Sequence, residues 1–261
     1  MRLPRPAALS KRKAVALLRQ LQSLMRRAIA DYDMISPGDS IAVGLSGGKD
    51  SLTLLAGLAA LRRYYPHPFT LRALTLDLGF DPAADFSGLA AFCEALSVPF
   101  TLKSTEIGRI VFDIREEKNP CSLCAKMRRG ALNDLAKELG CNKLALGHHF
   151  DDAVETLFLN LFYEGRLGCF SPVTYLSRAD LTVIRPMIYV EERQIRALVR
   201  RENYPVYHNP CCADGATKRQ EVKELLRRLE RDNPGLRERA MGALQRAGLD
   251  GWREPLVGRK V

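Results

Sequence analysis

The sequence predicts an α/β protein with a doubly wound, Rossmann-like parallel sheet and helical additions at both ends. First, short apolar runs alternate with longer helical patterns over residues 40–184, which favours parallel strands with helices on both faces. Second, glycine-rich or acidic residues follow several of these runs, where such folds bind ligands. Third, a chain of 261 residues is long enough to bury one sizeable core.

The predicted elements follow from the periodicity of apolar residues. An amphipathic helix is expected over residues 10–33, because its apolar residues form one broad stripe. The predicted strands are 40–45, 71–78, 100–104, 143–146 and 181–184. The helices predicted between them are 49–64, 83–96, 121–139 and 151–163. Residues 191–244 are expected to be mostly helical around an irregular segment at 204–215, and the residues after Gly248 to form a loose tail.

The charge balance indicates a polyanionic partner. The formal net charge is +10, and basic side chains bind nucleic-acid phosphates by releasing counterions. A second basic cluster, Lys126, Arg128 and Arg129, follows a cysteine pair. A soluble basic protein without such a partner is the simpler alternative, but the N-terminal 30 residues contain no acid. Their basic residues are Arg2, Arg5, Lys11, Arg12, Lys13, Arg19, Arg26 and Arg27.

Hydropathy predicts a cytoplasmic protein without a membrane span. No window approaches the run of about 18 apolar residues that a transmembrane helix needs, and the basic N-terminus lacks the apolar core of a signal peptide.

The chain has seven cysteines. An odd number in such a protein argues against a disulfide framework and favours metal, cluster or catalytic sulfur chemistry for some of them.

A glycine-rich loop, Gly44–Ser51 (GLSGGKDS), connects the first strand to the next helix. Adjacent glycines let backbone N–H groups approach an anion, and a helix N-terminus favours phosphate. The loop is not a Walker A loop, because three residues separate Gly44 from Gly48 where that loop has four. It predicts a phosphate site, with a plain glycine-rich turn as the alternative. The candidate ligands are Ser46, Gly47, Gly48, Lys49, Asp50 and Ser51.

Polar residues stand at two further strand ends. Asp77 closes the second strand and is a candidate nucleotide contact, with a simple backbone cap as an equal alternative. The motif Gly147–Asp152 (GHHFDD) follows the fourth strand. Its two acids could bind Mg²⁺ or accept a proton, or merely cap the helix, and its two histidines should diverge, which argues against zinc. The candidate site residues of this motif are Gly147, His148, Asp151 and Asp152.

A cysteine pair opens the helix predicted at 121–139. Cys121 and Cys124 lie one turn apart and face the same way, and a helix N-terminus favours the thiolate that binds metal. A redox dithiol or half of a zinc site are alternatives. A third sulfur is available at Cys211 or Cys212, and three thiolates could hold a four-iron cluster with one iron open. The remaining cysteines are expected to be buried apolar fillers: Cys93, Cys141 and Cys169.

Five segments together resemble a known family. They are SGGKDS, PCSLCAKMRRG, LALGHHFDDAVETLFLNLFY, IRPMIYV and NPCC, in that order and over almost the whole chain. They resemble the tRNA 2-thiocytidine synthetases, iron–sulfur-dependent members of the PP-loop ATP pyrophosphatase superfamily. The resemblance implies a tRNA sulfurtransferase that adenylates O2 of a cytidine, at position 32 of the anticodon loop, and replaces that oxygen with sulfur to give 2-thiocytidine.

The resemblance also implies ATP, Mg²⁺ and a 4Fe–4S cluster. Cys121, Cys124 and Cys211 match the three cluster ligands. The family commonly has a second CxxC at the third ligand, where this chain has Cys211-Cys212-Ala213-Asp214. Cys211 is preferred because it follows the matching proline. The expected catalytic residues are Lys49 for phosphate, Asp151 or Asp152 for proton handling or metal binding, and Arg128 for neutralising the adenylate.

The expected organisation has three regions. Residues 1–35 form a basic N-terminal helix, 36–190 a PP-loop ATP-binding catalytic domain, and 191–261 a C-terminal helical region that carries the third cluster cysteine. The implied partners are tRNA, a second copy of the chain in a homodimer, and a sulfur donor such as sulfide or the persulfide of a cysteine desulfurase.

Three other functions share part of the pattern. The 2-thiouridine synthetases acting on position 54 carry zinc-finger cysteine pairs at their ends, and this sequence has none there. The tRNA lysidine synthetases share SGGKDS and GHHxDD but need no cysteine set, so Cys121, Cys124 and Cys211 favour thiolation. A non-catalytic nucleic-acid-binding module with structural zinc is disfavoured by SGGKDS.

Overall fold

A computed structural model describes residues 6–114, 120–207 and 218–256, and gives only the backbone of residues 6–15 and of Asp113. In this part of the chain the sheet has six strands in the order β3-β2-β1-β4-β6-β5. Neighbouring strands are parallel except β5 and β6, which are antiparallel. The strands are β1 (Ser40–Gly44), β2 (Thr70–Asp77), β3 (Phe100–Ser104), β4 (Lys143–Ala145), β5 (Val173–Leu176) and β6 (Leu181–Ile184).

The strand order reverses beside β1. Strands β2 and β3 lie on one side of it, and β4, β6 and β5 lie on the other. The carboxyl ends of β1 and β4 therefore flank the crevice where open α/β sheets bind ligands. The glycine-rich loop follows β1 and the GHHFDD motif follows β4, so the topology brings both motifs to this crevice.

Helices cover both faces of the sheet. One buried cluster joins side chains of α1, α2, α7, α8 and α9, and a second joins α5 to the opposite face. The doubly wound α/β prediction is therefore confirmed, with β5 as an antiparallel edge strand. The helices are α1 (Pro6–Asp31), α2 (Lys49–Leu61), α3 (Ser87–Ala95), α4 (Ile107–Arg109), α5 (Pro120–Glu138), α6 (Phe150–Tyr163), α7 (Glu192–Glu202), α8 (Lys218–Asp232) and α9 (Leu236–Ala247).

The N-terminal helix belongs to the main core. Leu21, Met25 and Ile29 of α1 are almost completely buried, as their spacing along one helical face predicts. Helix α2 passes so close that a Cβ atom at Gly57 would lie 2.5 Å from the Met25 sulfur. The main core contains residues from all three regions expected from the sequence, so these regions pack as parts of one body.

Four short elements were not predicted, one of them a 3-10 turn at Leu249–Gly251. Helix α4 continues into a π-helical turn at Ile110–Ile114, and β5 forms a hairpin with β6. Each is shorter than the window over which apolar periodicity becomes informative. None of the helices in the described part of the chain is long and apolar enough to cross a bilayer.

The expectation of a loose tail after Gly248 is wrong as far as Leu256, where the description ends. Trp252 is 1% exposed, and its Nε1–H donates to the Phe170 carbonyl at 2.9 Å. Arg253 donates to the Asp31 carbonyl at 2.6 Å and pairs with Asp33 at 2.8 Å. The segment is polar in composition, but its one Trp brings enough apolar surface to fix it against the core.

Candidate active site

The loop after β1 is built to receive an anion. Gly47 has φ +83°, and a Cβ there would lie 2.7 Å from Cβ of Tyr207, so only glycine fits. Ser51 Oγ donates to the Gly48 carbonyl at 2.9 Å and lies 3.2 Å from Ser46 Oγ. No side chain in the described part of the chain caps the start of α2. Its first N–H groups and the helix dipole therefore remain available to a phosphate.

The GHHFDD turn packs directly on this loop. A Cβ at Gly147 would lie 3.2 Å from the Asp50 carbonyl carbon and the Ser51 nitrogen, so glycine permits the contact. His149 caps α6 and forms a capping box with Asp152. Its Nε2 lies 3.7 Å from Asp50 Oδ1 and 3.5 Å from Asp152 Oδ2. The two motifs thus form one polar surface.

A cavity of about 530 Å³ lies beside this surface, within the usual size range of ligand pockets. Its walls come from strands β1, β2, β4, β5 and β6 and from α5. Seven of the expected site residues line it: Ser46, Asp50, Ser51, Arg128, Gly147, His148 and Asp152. The other five expected catalytic and nucleotide-binding residues do not: Gly47, Gly48, Lys49, Asp77 and Asp151.

The two adjacent acids of GHHFDD lie in different environments. Asp151 is buried, where Oδ1 accepts from Arg237 and Oδ2 accepts from the Glu192 backbone N–H, both at 2.7 Å. Asp152 accepts from the His149 backbone N–H at 3.0 Å and lies 3.7 Å from Arg219. Because Asp152 lines the cavity and Asp151 does not, Asp152 is the acid that can reach a ligand.

Lys49 is held by two carboxylates. Its Nζ lies 2.8 Å from Asp50 and 3.2 Å from Glu192. Burial lowers the pKa of Lys49, but the two carboxylates outweigh it and raise the pKa above its ordinary value. The lysine is therefore a fixed positive charge at the edge of the loop. Asp77 does not line the cavity; its carboxylate accepts from the Gly79 N–H at 2.9 Å, as a backbone cap would.

His148 and Arg185 form a weakly solvated corner of the cavity. Burial, and then the charge of Arg185, lower the pKa of His148 to about 4, so it is a neutral imidazole at neutral pH. Burial lowers the pKa of Arg185 to about 10, which leaves it charged. Both side chains pack against the Phe170 ring: the His148 ring centroid lies 4.9 Å from its centroid, and Arg185 Cζ lies 5.2 Å from it. Neither His148 Nδ1 nor Arg185 Nε has a hydrogen-bond partner in the described part of the chain.

The cysteine pair lies near the start of α5, the helix that lines one wall of the cavity. Cys121 is exposed and Cys124 is buried, and Ala125 and Arg128 on the same helix line the cavity. Cys211 and Cys212 lie outside the described residues. In the part of the chain that is described, no group of three His, Cys, Asp or Glu residues is arranged to hold a metal; only two of the three expected cluster cysteines are in it.

Comparisons with known proteins place the chain in a family. A family model described as a PP-loop domain matches residues 14–229. The tRNA-cytidine(32) 2-sulfurtransferase of Geobacter sulfurreducens is 42% identical over 87% of this chain and 90% of the relative. This chain belongs to the tRNA-cytidine(32) 2-sulfurtransferase family of PP-loop proteins. The family's member from Ralstonia nicotianae is 40% identical over 87% of this chain and 73% of its own length.

Solved structures share the fold of this family member. The U34-tRNA thiolase NcsA from Methanococcus maripaludis, solved with its [4Fe-4S] cluster, has a TM-score of 0.72 at 22% identity and covers 90% of this chain and 79% of its own. The NMN synthetase from Francisella tularensis has a TM-score of 0.51 at 13% identity and covers 94% and 98%. The family resemblance and the Rossmann-like PP-loop fold predicted from the sequence are thus confirmed.

The three filler cysteines of this family member are buried as expected. Cys93, Cys141 and Cys169 are each at most 7% exposed. Burial raises the pKa of Cys93 to about 11 and that of Cys169 to about 12. Both remain protonated thiols at neutral pH and are poor metal ligands and nucleophiles.

Sequence reasoning missed the contribution of α7, α8 and α9. Glu192, Arg219, Lys223 and Arg237 all contact residues of the loop or of the GHHFDD helix. Nothing in their sequence distinguishes them from the other charges of solvated helices. Arg185, in contrast, could have been found, because it is the single charged residue in the apolar run LTVIRPMIYV.

Proposed function

We propose that this chain is an ATP-dependent tRNA thiolating enzyme that converts a cytidine, at position 32 of the anticodon loop, into 2-thiocytidine. The names of the relatives support this substrate. The observation that carries the proposal is the meeting of three features at one cavity: the phosphate loop, the carboxylate of Asp152, and the helix that bears Cys121 and Cys124.

The phosphate loop holds ATP in this proposal. Backbone N–H groups at the uncapped start of α2 and the hydroxyls of Ser46 and Ser51 donate to phosphate oxygens. Lys49 adds a fixed positive charge beside them. The carboxylates of Asp50 and Asp152 line the cavity next to the loop, and carboxylate oxygens together with ATP phosphates suit Mg²⁺. Gly147, His148 and Asp77 remain proposed nucleotide contacts.

The first chemical step is adenylation of the base. O2 of the cytidine forms a bond to the α phosphorus of ATP, the bond from that phosphorus to the bridging oxygen breaks, and pyrophosphate leaves with the electron pair. Donors fixed before the reaction stabilise the charge that develops. Arg128, which lines the cavity, neutralises the adenylate. To bring O2 to phosphorus the base must leave its stack, which is easier in a single-stranded loop.

The second step replaces the oxygen with sulfur. A 4Fe–4S cluster held by Cys121, Cys124 and Cys211 would supply sulfide-level sulfur at C2, taken from free sulfide or from a desulfurase persulfide together with two electrons from a thiol reductant. The donor set fits, because Cys121 and Cys124 lie one turn apart near the start of α5 and cysteine thiolates are the usual ligands of such clusters. A bond forms from sulfur to C2, the bond from C2 to O2 breaks, and AMP leaves with the oxygen. Asp152 is the proton acceptor or metal ligand within reach.

The third cysteine has a short path to this site. Tyr207, the last residue before the undescribed segment, donates its N–H to the Gly47 carbonyl at 3.0 Å. Cys211 is the fourth residue after Tyr207, a reach of at most about 14 Å. After the segment, Arg219 returns to within 3.7 Å of Asp152. Both ends of the segment are therefore anchored beside the phosphate loop.

In this proposal the basic N-terminal helix binds the phosphate backbone of the tRNA. Arg19 and Arg27 are exposed, although Arg27 lies 3.6 Å from Asp31 and stacks on Tyr189.

The chain acts as a cytoplasmic homodimer. Support for the dimer comes from large apolar side chains exposed at the end of α6 and in the loop after it: Leu161, Phe162, Tyr163 and Leu167.

Lysidine synthesis is the second candidate from the same superfamily. It would use the same loop and the same acids, but it has no use for the cysteine pair. The position of Cys121 and Cys124 two turns and one turn before Arg128 favours thiolation.

The function is tested by mass spectrometry of tRNA nucleosides from cells with and without the gene. Loss of 2-thiocytidine on deletion, return with the wild-type gene, and no return with Lys49→Met or Cys121→Ala are expected. Unchanged 2-thiocytidine in the deletion strain would contradict the proposal.

Anaerobically purified protein should hold about four irons per chain, as a 4Fe–4S cluster requires, and stoichiometric zinc without iron would contradict the cluster.

A further inference from the structure

Glu192, the first residue of α7, is a buried carboxylate surrounded by cations. Its Oε1 lies 3.2 Å from Lys49 Nζ and 2.8 Å from Arg196, and its Oε2 lies 2.8 Å from Lys223. Burial acts to raise the pKa of Glu192, but hydrogen bonds from Lys223 and Arg196 outweigh it and hold the pKa well below its usual range. The carboxylate is therefore ionised at every pH at which the protein works.

This carboxylate directs the ammonium group of Lys49. A lysine has three N–H donors; those of Lys49 face both oxygens of Asp50, at 3.0 and 2.8 Å, and Glu192 at 3.2 Å. A phosphate oxygen at the loop would therefore replace one Asp50 oxygen, while the contact with Glu192 is kept. Glu192 does not need to release Lys49 when phosphate arrives, because Arg196 and Lys223 already balance its charge. Its contact with Lys49 therefore orients the lysine for phosphate instead of competing with it.

The same carboxylate connects the phosphate loop to α8. Lys223 lies on α8, where it also approaches Glu155 at 3.8 Å. Arg219, one turn earlier, lies 3.5 Å from Glu155 and 3.7 Å from Asp152. Helix α8 is the first described element after residues 208–217. The helix that follows the segment with the third cysteine is thus tied by ion pairs to the residues that would hold ATP.

We propose that Glu192 is a positioning residue of the ATP site, which holds Lys49 toward the phosphates and is itself held by Lys223. The proposal rests on the proposed binding of ATP at the loop. No sequence motif points to Glu192, since it lies about 140 residues from Lys49 in the chain and acts only through the folded contact.

The first measurement is ATP affinity without tRNA, by titration of Mg²⁺–ATP into wild type and Glu192→Gln. The change removes the charge and keeps the shape, and the Glu192 backbone N–H still donates to Asp151. Loss of a charge-assisted contact that orients Lys49 should weaken ATP binding by roughly 10- to 100-fold. Thermal unfolding midpoints of both proteins check that the variant folds. Tighter binding in Glu192→Gln would show that Glu192 competes with phosphate, and would overturn the proposal.

The matched control is Glu155→Gln. Glu155 is buried like Glu192 and also lies near Lys223, but no contact with Lys49 is found for it in the described part of the chain. Its substitution should change ATP affinity by less than about threefold, within the error of such variants. An equal loss in both variants would mean that any damage to the ion-pair cluster weakens ATP binding, which would also overturn the proposal.

A double-mutant cycle decides whether Glu192 acts through Lys49. In a Lys49→Met background the ammonium group is gone, so adding Glu192→Gln should change ATP affinity by less than about twofold. Additive losses in the double variant would contradict a positioning role. If wild type itself does not bind ATP, the proposed function fails; if wild type binds and Glu192→Gln binds equally well, only the positioning role fails.

Discussion

The phosphate loop and the C-terminal helices meet at one site, but they contribute to it in different ways. The loop and the GHHFDD turn are short contiguous segments whose residues face the cavity directly. Helices α7, α8 and α9 contribute side chains that reach the site only by pairing with other charges, as Glu192 does with Lys49 and Arg237 with Asp151. The residues that contact the ligand lie in short sequence motifs, whereas the residues that hold them in place are dispersed along the chain.

The adjacent acids Asp151 and Asp152 test the difference between ligand-contacting and supporting residues most strongly. Asp152→Asn should lower tRNA thiolation by about 10²- to 10⁴-fold, the usual contribution of a positioned acid or base. The free energy of unfolding should change little, because Asp152 is partly exposed. Single-turnover rates with saturating ATP and tRNA measure the effect. A variant with full activity would move the catalytic role away from Asp152.

Asp151→Ala should have the opposite profile. It leaves Arg237 and the Glu192 backbone N–H without their partner, and breaking a buried ion pair from one side costs about 3–5 kcal/mol of stability. Urea unfolding followed by circular dichroism measures the loss. Activity at low temperature, where the variant is folded, should stay within about tenfold of wild type. Normal stability with lost activity would mean that Asp151 belongs to the chemistry.

Acid should destabilise the motif region through His148. Its pKa is lowered to about 4 from the ordinary 6.5, so between these values the unfolded chain binds a proton that the folded chain does not. Stability from this residue is therefore present above pH 6.5 and is lost as the pH falls toward 4, by up to about 3 kcal/mol. The difference in unfolding free energy between pH 7 and pH 5 should shrink in His148→Asn. An unchanged difference would contradict a neutral, buried His148.

The smallest expected effect concerns the basic N-terminal helix. Neutral substitution of Lys11, Arg12 and Lys13 should weaken tRNA binding and flatten its log–log salt dependence by up to about 2, roughly 0.7 per lost contact. Iron content and ATP affinity should not change. Arg128→Ala is the comparison, since it should spare tRNA affinity and lower the rate. Binding isotherms over a salt series measure the tRNA affinity of both variants. An unchanged salt slope in the triple variant would reject a role for the N-terminal helix in binding tRNA.

Much of the fold could be predicted because it depends on local patterns. The alternation of apolar runs gave five strands and their helices within a few residues of the observed bounds. The edge strand β5 was missed because four residues of mixed polarity carry no readable period. The tail was missed because its order depends on Trp252 meeting Phe170, a contact 82 residues apart.

The candidate site also consists of parts that follow from local sequence patterns and parts that depend on long-range contacts. The loop, Gly147, Asp152 and Arg128 were predicted because their spacing is a signature. The separation of Asp151 from Asp152 could not be predicted, because it depends on Arg237 arriving from α9. Glu192 and Lys223 have no signature at all, since only the packed helices bring them to Lys49.

The central claim is that the oxygen of the base is activated by transfer to AMP. It is tested most directly with a tRNA whose target cytidine carries ¹⁸O at C2, incubated with enzyme, ATP and a sulfide source. The account predicts that the AMP released contains ¹⁸O, in equal amount to the 2-thiocytidine formed, with unlabelled pyrophosphate. Unlabelled AMP alongside 2-thiocytidine, or ADP and phosphate as the products, would contradict it.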